Sequence, residues 1–207
     1  MHPNPVFRQT DAARSLAFLR ARSFGTLLVN ADPVPLVAHV PFLLSEDAAT
    51  ADLHLVRSNP IARMAQDTPI SVKLAVTGPD SYISPDWYGT PDQVPTWNYV
   101  AVHLTGTLHM LDHADLHALL DRQSAHFEAQ LAPKPEWRTE KMSDGVMERM
   151  MRAIVPMRLH ISALDSTWKL GQNKPDTVRQ SAARHVKTHG IGTGLADLGE
   201  WMDTPPD

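Results

Sequence analysis

The chain has 207 residues and no cysteine, with 19 Lys plus Arg against 23 Asp plus Glu and a formal net charge of -4. That length suits one domain with a sizeable core; the lack of Cys removes disulfides, thiol nucleophiles and thiolate metal sites, and the dispersed basic residues form no stripe for nucleic acid. No apolar run approaches the roughly 20 residues needed to cross a bilayer, and the N-terminal MHPNPVFRQT lacks the basic start and apolar middle of a signal peptide, so a cytoplasmic protein is expected.

In chain order, Pro3 to Phe7 reads as an extended lead-in, and Thr10-Asp11 then caps a helix with Ala12, Leu16 and Leu19 at helical spacing. Phe24 to Val29 and Leu36 to Leu44 are β-rich and separated by the turn cluster Asn30-Ala31-Asp32-Pro33, which predicts an antiparallel hairpin. His39 interrupts the apolar series of the second strand just before Pro41, a pattern for an edge, a bulge or a cavity-facing position. Leu53 to Val56 is a third strand that runs into Arg57-Ser58-Asn59-Pro60 and the helix-forming IARMAQD. Asn59 is a strong N-cap and Pro60 suits the first helical position, so the junction offers a guanidinium, a hydroxyl, an amide and helix N-H donors to an anion. A capped surface helix beside a solvated Arg fits the same residues.

Ile70, Val72, Leu74 and Val76 alternate with Ser71, Lys73, Ala75 and Thr77, as in a strand with one buried face. Gly78-Pro79-Asp80 is expected to turn the chain into the stretch Tyr82 to Tyr99, which holds two of the five Trp and all three Tyr. Pro85, Pro91 and Pro95 break any ladder there, so an ordered loop is expected. Its aromatics can seal a barrel end or a subunit interface, or wall a flat ligand with polar edges. Trp97 to Met110 reads as a long strand with a bend at Gly106. Asp112 opens a helix to about Leu131, on which His113 and His117 stand at i, i+4; spacing supplies no third metal ligand, and the amphipathic segment reads as a solvated helix. Ser143 is expected to cap a helix with Val146, Met150 and Met151 on a core stripe, and Ile154 to Ile161 to form a last strand. Lys174 to Met202 is helical with a break at Gly190, Gly192 and Gly194, and the final Pro-Pro-Asp should fray. Together these elements predict an α+β protein built on an antiparallel β-barrel with peripheral helices. GxGxxG, GxxxxGK[ST] and GxSxG are all absent from the sequence.

Four segments carry a resemblance: His39-Val40-Pro41-Phe42; His54 to Pro60, HLVRSNP; Tyr82 to Tyr88, YISPDWY, with Val94 to Tyr99, VPTWNY; and Trp168 to Lys174, WKLGQNK. In order and spacing the chain from Pro3 to about Gln180 resembles the PaiB-type proteins, FMN-binding negative transcriptional regulators with a flavin-reductase-like split β-barrel. The resemblance implies an FMN-binding split-barrel domain over 1–180 and an obligate homodimer with FMN between the barrels; 181–207 lies outside it as a C-terminal helical extension to which no role is assigned. It places the phosphate at Arg57, Ser58 and Asn59 with His54 nearby, and the isoalloxazine beside His39. Trp97 and the Trp168 to Asn173 segment, including Gln172 and Asn173, would come from the partner subunit or close over the cofactor, and Lys169 would put positive charge near the flavin N1 and C2 carbonyl. Asp80-Ser81, Gly171 and Lys174 depart from the usual His-Ala, Ser and Arg. A regulator is the first functional expectation and an FMN-dependent oxidoreductase with a nicotinamide donor the alternative; the net negative charge and the lack of a recognisable helix-turn-helix speak against direct DNA contact.

Overall fold

The hairpin that opens the sheet forms where the alternation puts it. In a computed structural model, which describes residues 1–206, helix α1 (Ala12–Arg22) leads into strands β1 (Phe24–Val29) and β2 (Leu36–Leu44). Asp11 starts α1 by accepting the Ala13 N-H at 2.9 Å, one of the donors a helix cannot satisfy from its own turns. β1 and β2 are antiparallel, with Thr26 opposite His39 and Leu28 opposite Val37. The lead-in differs from expectation: Asn4 caps a single 3-10 turn over Pro5–Arg8, whose Phe7 is buried.

Strand β3 (Thr50–Val56) pairs with β2, and helix α2 (Pro60–Met64) follows it. Then come β4 (Ile70–Ile83), β5 (Thr96–Met110), helices α3 (Leu116–Ala129) and α4 (Val146–Met151), and β6 (Ile154–Lys169). Helix α5 (Asp176–His189), the three-residue strand β7 (Ile191–Thr193) and helix α6 (Leu195–Asp203) end the chain. The strand order is β1-β2-β3-β6-β5-β4-β7, and β1 also pairs with β4, so six strands close into a ring with β7 beside β4. This is an antiparallel α+β split barrel. A closed ring leaves its strands few unpaired edge groups, which stabilises an all-antiparallel sheet against edge-to-edge association.

Two strands are longer than the local sequence suggests. Gly78-Pro79-Asp80 does not end β4; the strand continues to Ile83 and pairs through Asp80, Ser81 and Tyr82 with β7. A Cβ on Gly78 would meet the Phe18 ring at 2.9 Å and Val100 at 3.1 Å, so the glycine answers a close approach rather than a turn. β6 likewise runs on through the polar SALDSTWK to Lys169, because its second half packs at Ser166, Thr167 and Trp168, which are buried. In α4 the expected stripe is incomplete: Met151 is buried while Met150 is 60% exposed.

The chain divides into two compact units. One comprises Met1–Phe18, Val76–His103 and the chain from Leu164 on; the other comprises Leu19–Ala75 and Leu104–Ala163. The first is centred on Trp168, fully buried with Ile83, Val100, Leu170, Val186, Leu198 and Met202. Trp168 donates its indole N-H to Ser15 Oγ at 3.1 Å, which satisfies the one polar atom that burial would strand. Residues of α5 and α6 supply half of that core, and Arg179, 8% exposed, ties the two helices by donating from Nε to the Met202 carbonyl at 2.7 Å. The second unit has its core in the barrel strands, at Leu27, Phe42, Leu53, Leu74, Leu104 and Leu159. Gly106 lies where β5 and β6 touch: a Cβ there would fall 2.0 Å from the His160 carbonyl oxygen.

Candidate functional site

The unit holding Leu19–Ala75 and Leu104–Ala163 carries five of the candidate residues, and its chemistry is concentrated where β3 ends. The Arg57 backbone N-H bonds the Ala153 carbonyl at 2.8 Å, and its guanidinium donates from Nε to the Arg152 carbonyl at 3.0 Å and from Nη2 to that of Ile154 at 3.3 Å. Two of five guanidinium donors are thus used to fix its orientation, and three stay available. Beside it opens a shallow depression of about 620 Å³ lined by Arg57, Ser58, Arg63, Gln66 and Arg152 together with Val56 and Ala153. Three arginines and a serine line it, and among the described residues no carboxylate does. Such a set is suited to a phosphate monoester, which takes charge-assisted bonds from arginine forks.

Asn59 acts one step back from this depression. Its side-chain oxygen accepts the Ile61 N-H at 2.9 Å, capping α2 as expected. That helix has only five residues, so the positive charge of the junction comes from the arginines and not from a helix dipole. Arg63 and Arg152 are the residues that sequence reading missed. Arg63 lies in the last turn of α2, beyond the Arg57–Pro60 junction that the local sequence singles out, and Arg152, about a hundred residues away, had no local signal.

The two histidines stand apart from the arginines. His39 is exposed on β2, with Nδ1 3.1 Å from Oγ1 of its cross-strand neighbour Thr26. His54 is half-buried under α3, where its Nδ1 lies 3.0 Å from Gln123 Oε1, and burial pushes its pKa below the usual value. Neither lines the arginine depression. His113 and His117 have separate partners, the Met151 carbonyl and Asp121.

The other unit holds Trp97, Lys169, Gln172 and Asn173. Trp97, 48% exposed at the start of β5, meets Tyr82 edge to face with centroids 6.4 Å apart. Lys169 donates to Thr96 Oγ1 at 2.5 Å; burial first, and then the charge of Lys174, pushes its pKa down. Lys174 donates to Gln93 Oε1 at 2.5 Å and lies 4.3 Å above the Tyr88 ring, whose buried hydroxyl has no partner. Gln172 is a scaffold residue: its amide accepts from Leu170 N-H at 2.8 Å and donates to the Trp168 carbonyl at 2.5 Å. The turn so clamped places Gly171 at φ +86°, a left-handed conformation that explains glycine where the resemblance expects Ser. Asn173 is exposed beside it. This side of the molecule offers an exposed aromatic edge and two ammonium groups, which suits the flat, electron-poor ring of a flavin.

The ring-closed antiparallel barrel is a split barrel. Residues 1–163 match the family described as "Putative FMN-binding domain", and the chain belongs to that family, whose cofactor is FMN. The chain is 30% identical over 179 residues to the Protease synthase and sporulation protein PAI 2 of Bacillus subtilis (strain 168), across 86% of this chain and 84% of that protein. The same fold is seen in a conserved hypothetical protein of Mycobacterium tuberculosis, with TM-score 0.57 and 14% identity over 84% of this chain and 94% of that one. An FAD and heme binding protein of Mycobacterium smegmatis follows at TM-score 0.54 and 15% identity, over 80% and 74% of the two chains. The family and its cofactor are the ones the four sequence segments led us to expect.

Proposed function

We propose that the protein is an FMN-holding homodimer of the cytoplasm that acts as a regulator, with the FMN phosphate bound in the arginine depression by Arg57, Ser58, Arg63 and Arg152. The observation that carries this reading is the convergence of three arginines on one depression with no carboxylate among its lining residues. An uncompensated positive cluster is costly to keep together unless an anion neutralises it. Asn59 holds the loop that presents Ser58, and Trp97, Lys169 and Asn173 are assigned to the flavin ring, with Gln172 shaping their turn. When bound, FMN supplies one- and two-electron redox chemistry. We assign 1–180 to the flavin domain and 181–207 to a helical extension that completes the Trp168 core.

Exposed apolar side chains support the homodimer: Phe24, Val37 and Val56 in one unit, and Val94, Trp97 and Ile191 in the other, are each at least 41% exposed. Among the described residues no helix is long and apolar enough to cross a membrane. Direct DNA contact stays disfavoured by the net charge of -4.

An oxidoreductase that takes hydride from a nicotinamide donor is the second reading, in which Lys169 would place positive charge near the flavin N1 and C2 carbonyl. The two separate on anaerobic addition of NADH or NADPH to the FMN-loaded protein: a regulator keeps its yellow colour, and an enzyme bleaches on the timescale of turnover. The binding assignment itself is tested by titrating FMN against riboflavin. FMN is expected to bind tighter by at least about tenfold, the worth of one charge-assisted contact; equal affinities would remove the phosphate site.

A further inference from the structure

The cleft under α3 has a different chemistry from the arginine depression. Leu120, Gln123, Ser124 and Phe127 follow helical spacing along one face of α3, and together with Pro41, His54, Glu128 and Trp137 they enclose about 290 Å³. Trp137 is held over the cleft because its backbone N-H donates to Glu128 Oε2 at 2.7 Å and Lys134 pairs with the same carboxylate. That carboxylate is therefore engaged, and the walls are largely apolar and aromatic.

One polar atom in the cleft is left with a defined, unmet need. Gln123, 5% exposed, donates from Nε2 to the Pro41 carbonyl at 3.4 Å, which fixes its amide so that Oε1 faces His54. Oε1 can only accept, so His54 Nδ1 at 3.0 Å carries the ring proton and His54 Nε2 is a bare acceptor. Burial lowers the pKa of this imidazole and so favours its neutral form. Among the described residues no group bonds Nε2, and it is not a sealed atom either, since the only buried side-chain N or O without a partner among them is the Tyr88 hydroxyl.

We propose that this cleft is a second binding site, separate from the flavin phosphate site, for a planar aromatic molecule of one or two fused rings bearing an N-H or O-H donor. The volume, near the lower bound of small-molecule pockets, limits the occupant to that size. Trp137 and Phe127 supply ring contacts, and His54 Nε2 accepts the donor hydrogen, giving the site both orientation and a reason to prefer donors over plain hydrocarbons.

The test uses the full chain loaded with FMN and two probes, indole and 1-methylindole, with binding read from ¹⁵N resonances of the histidine rings. Indole is expected to move His54 Nε2 and to bind about fivefold tighter than 1-methylindole, the factor that one neutral hydrogen bond supplies. His54→Phe should erase that preference while preserving a ring, and Trp137→Ala, on an exposed loop where folding is not at risk, should weaken both probes. Equal binding of the two probes to the wild type, no binding at millimolar concentration, indifference to both substitutions, or displacement of FMN by indole would each overturn the proposal.

Discussion

Arg57 is tied to Arg152 through the backbone: its Nε donates to the Arg152 carbonyl at 3.0 Å, so the residue just after β3 is locked to the short link between α4 and β6. Both guanidinium groups line the same depression. Arg57 is thereby oriented before any ligand arrives, so little of its side-chain entropy would be left to lose on binding an anion.

Gly106→Ala should destabilise the protein by about 1–3 kcal/mol or more, since its methyl would fall 2.0 Å from the His160 carbonyl and strands rather than a flexible side chain must move. Urea midpoints of the two proteins check this. An unchanged midpoint would mean that β5 and β6 are farther apart at this point.

Arg179→Met should cost about 1–3 kcal/mol, because the Met202 carbonyl then loses its buried donor. Loosening should be confined to α5 and α6, and hydrogen exchange should show it there and not in the barrel strands. Uniform deprotection of the whole chain would contradict the place given to this arginine.

The His54 pKa is depressed in the fold, from an ordinary 6.5, chiefly by burial. The unfolded chain therefore binds the proton more readily, and stability is full above pH 6.5 and falls as the pH drops from there toward the folded pKa. Comparing thermal midpoints at pH 7.5 and 5.5, His54→Phe should lose part of the acid sensitivity of the wild type. Parallel pH curves for the two proteins would assign the effect to other groups.

Trp97→Lys should leave the monomer fold intact, as exposed substitutions usually change stability by under about 0.5 kcal/mol, while adding charge to a face assigned to the dimer. Light scattering at micromolar concentration should show a dimer for the wild type and a shift toward monomer for the variant. A monomeric wild type would remove the dimer from the account.

Local pattern was enough for the parts of the fold that local chemistry decides. Alternation places the Phe24–Val29 and Leu36–Leu44 hairpin, and Asn59-Pro60 the start of α2. It failed where tertiary contact overrides local preference. Gly78-Pro79 has turn chemistry, but room for the Phe18 ring and pairing of Asp80 to Tyr82 with β7 keep the strand going. The polar second half of β6 hides its strand because a Trp168-centred core buries Ser166 and Thr167. In the site, Arg57 and Ser58 were legible as neighbours of a helix start, whereas Arg152 joins them only through folding. His54 was set near the phosphate by the resemblance alone, and local sequence carried no sign of its hydrogen bond to Gln123 of α3.

The central claim is a phosphate-reading arginine depression, and the most direct measurement is calorimetric titration of FMN and riboflavin into the wild type and Arg57→Ala. The account predicts that the substitution weakens FMN by about 1.5–3 kcal/mol, roughly 10- to 150-fold, and leaves riboflavin affinity unchanged. FMN affinity that survives the substitution, or an equal loss for both ligands, would contradict it.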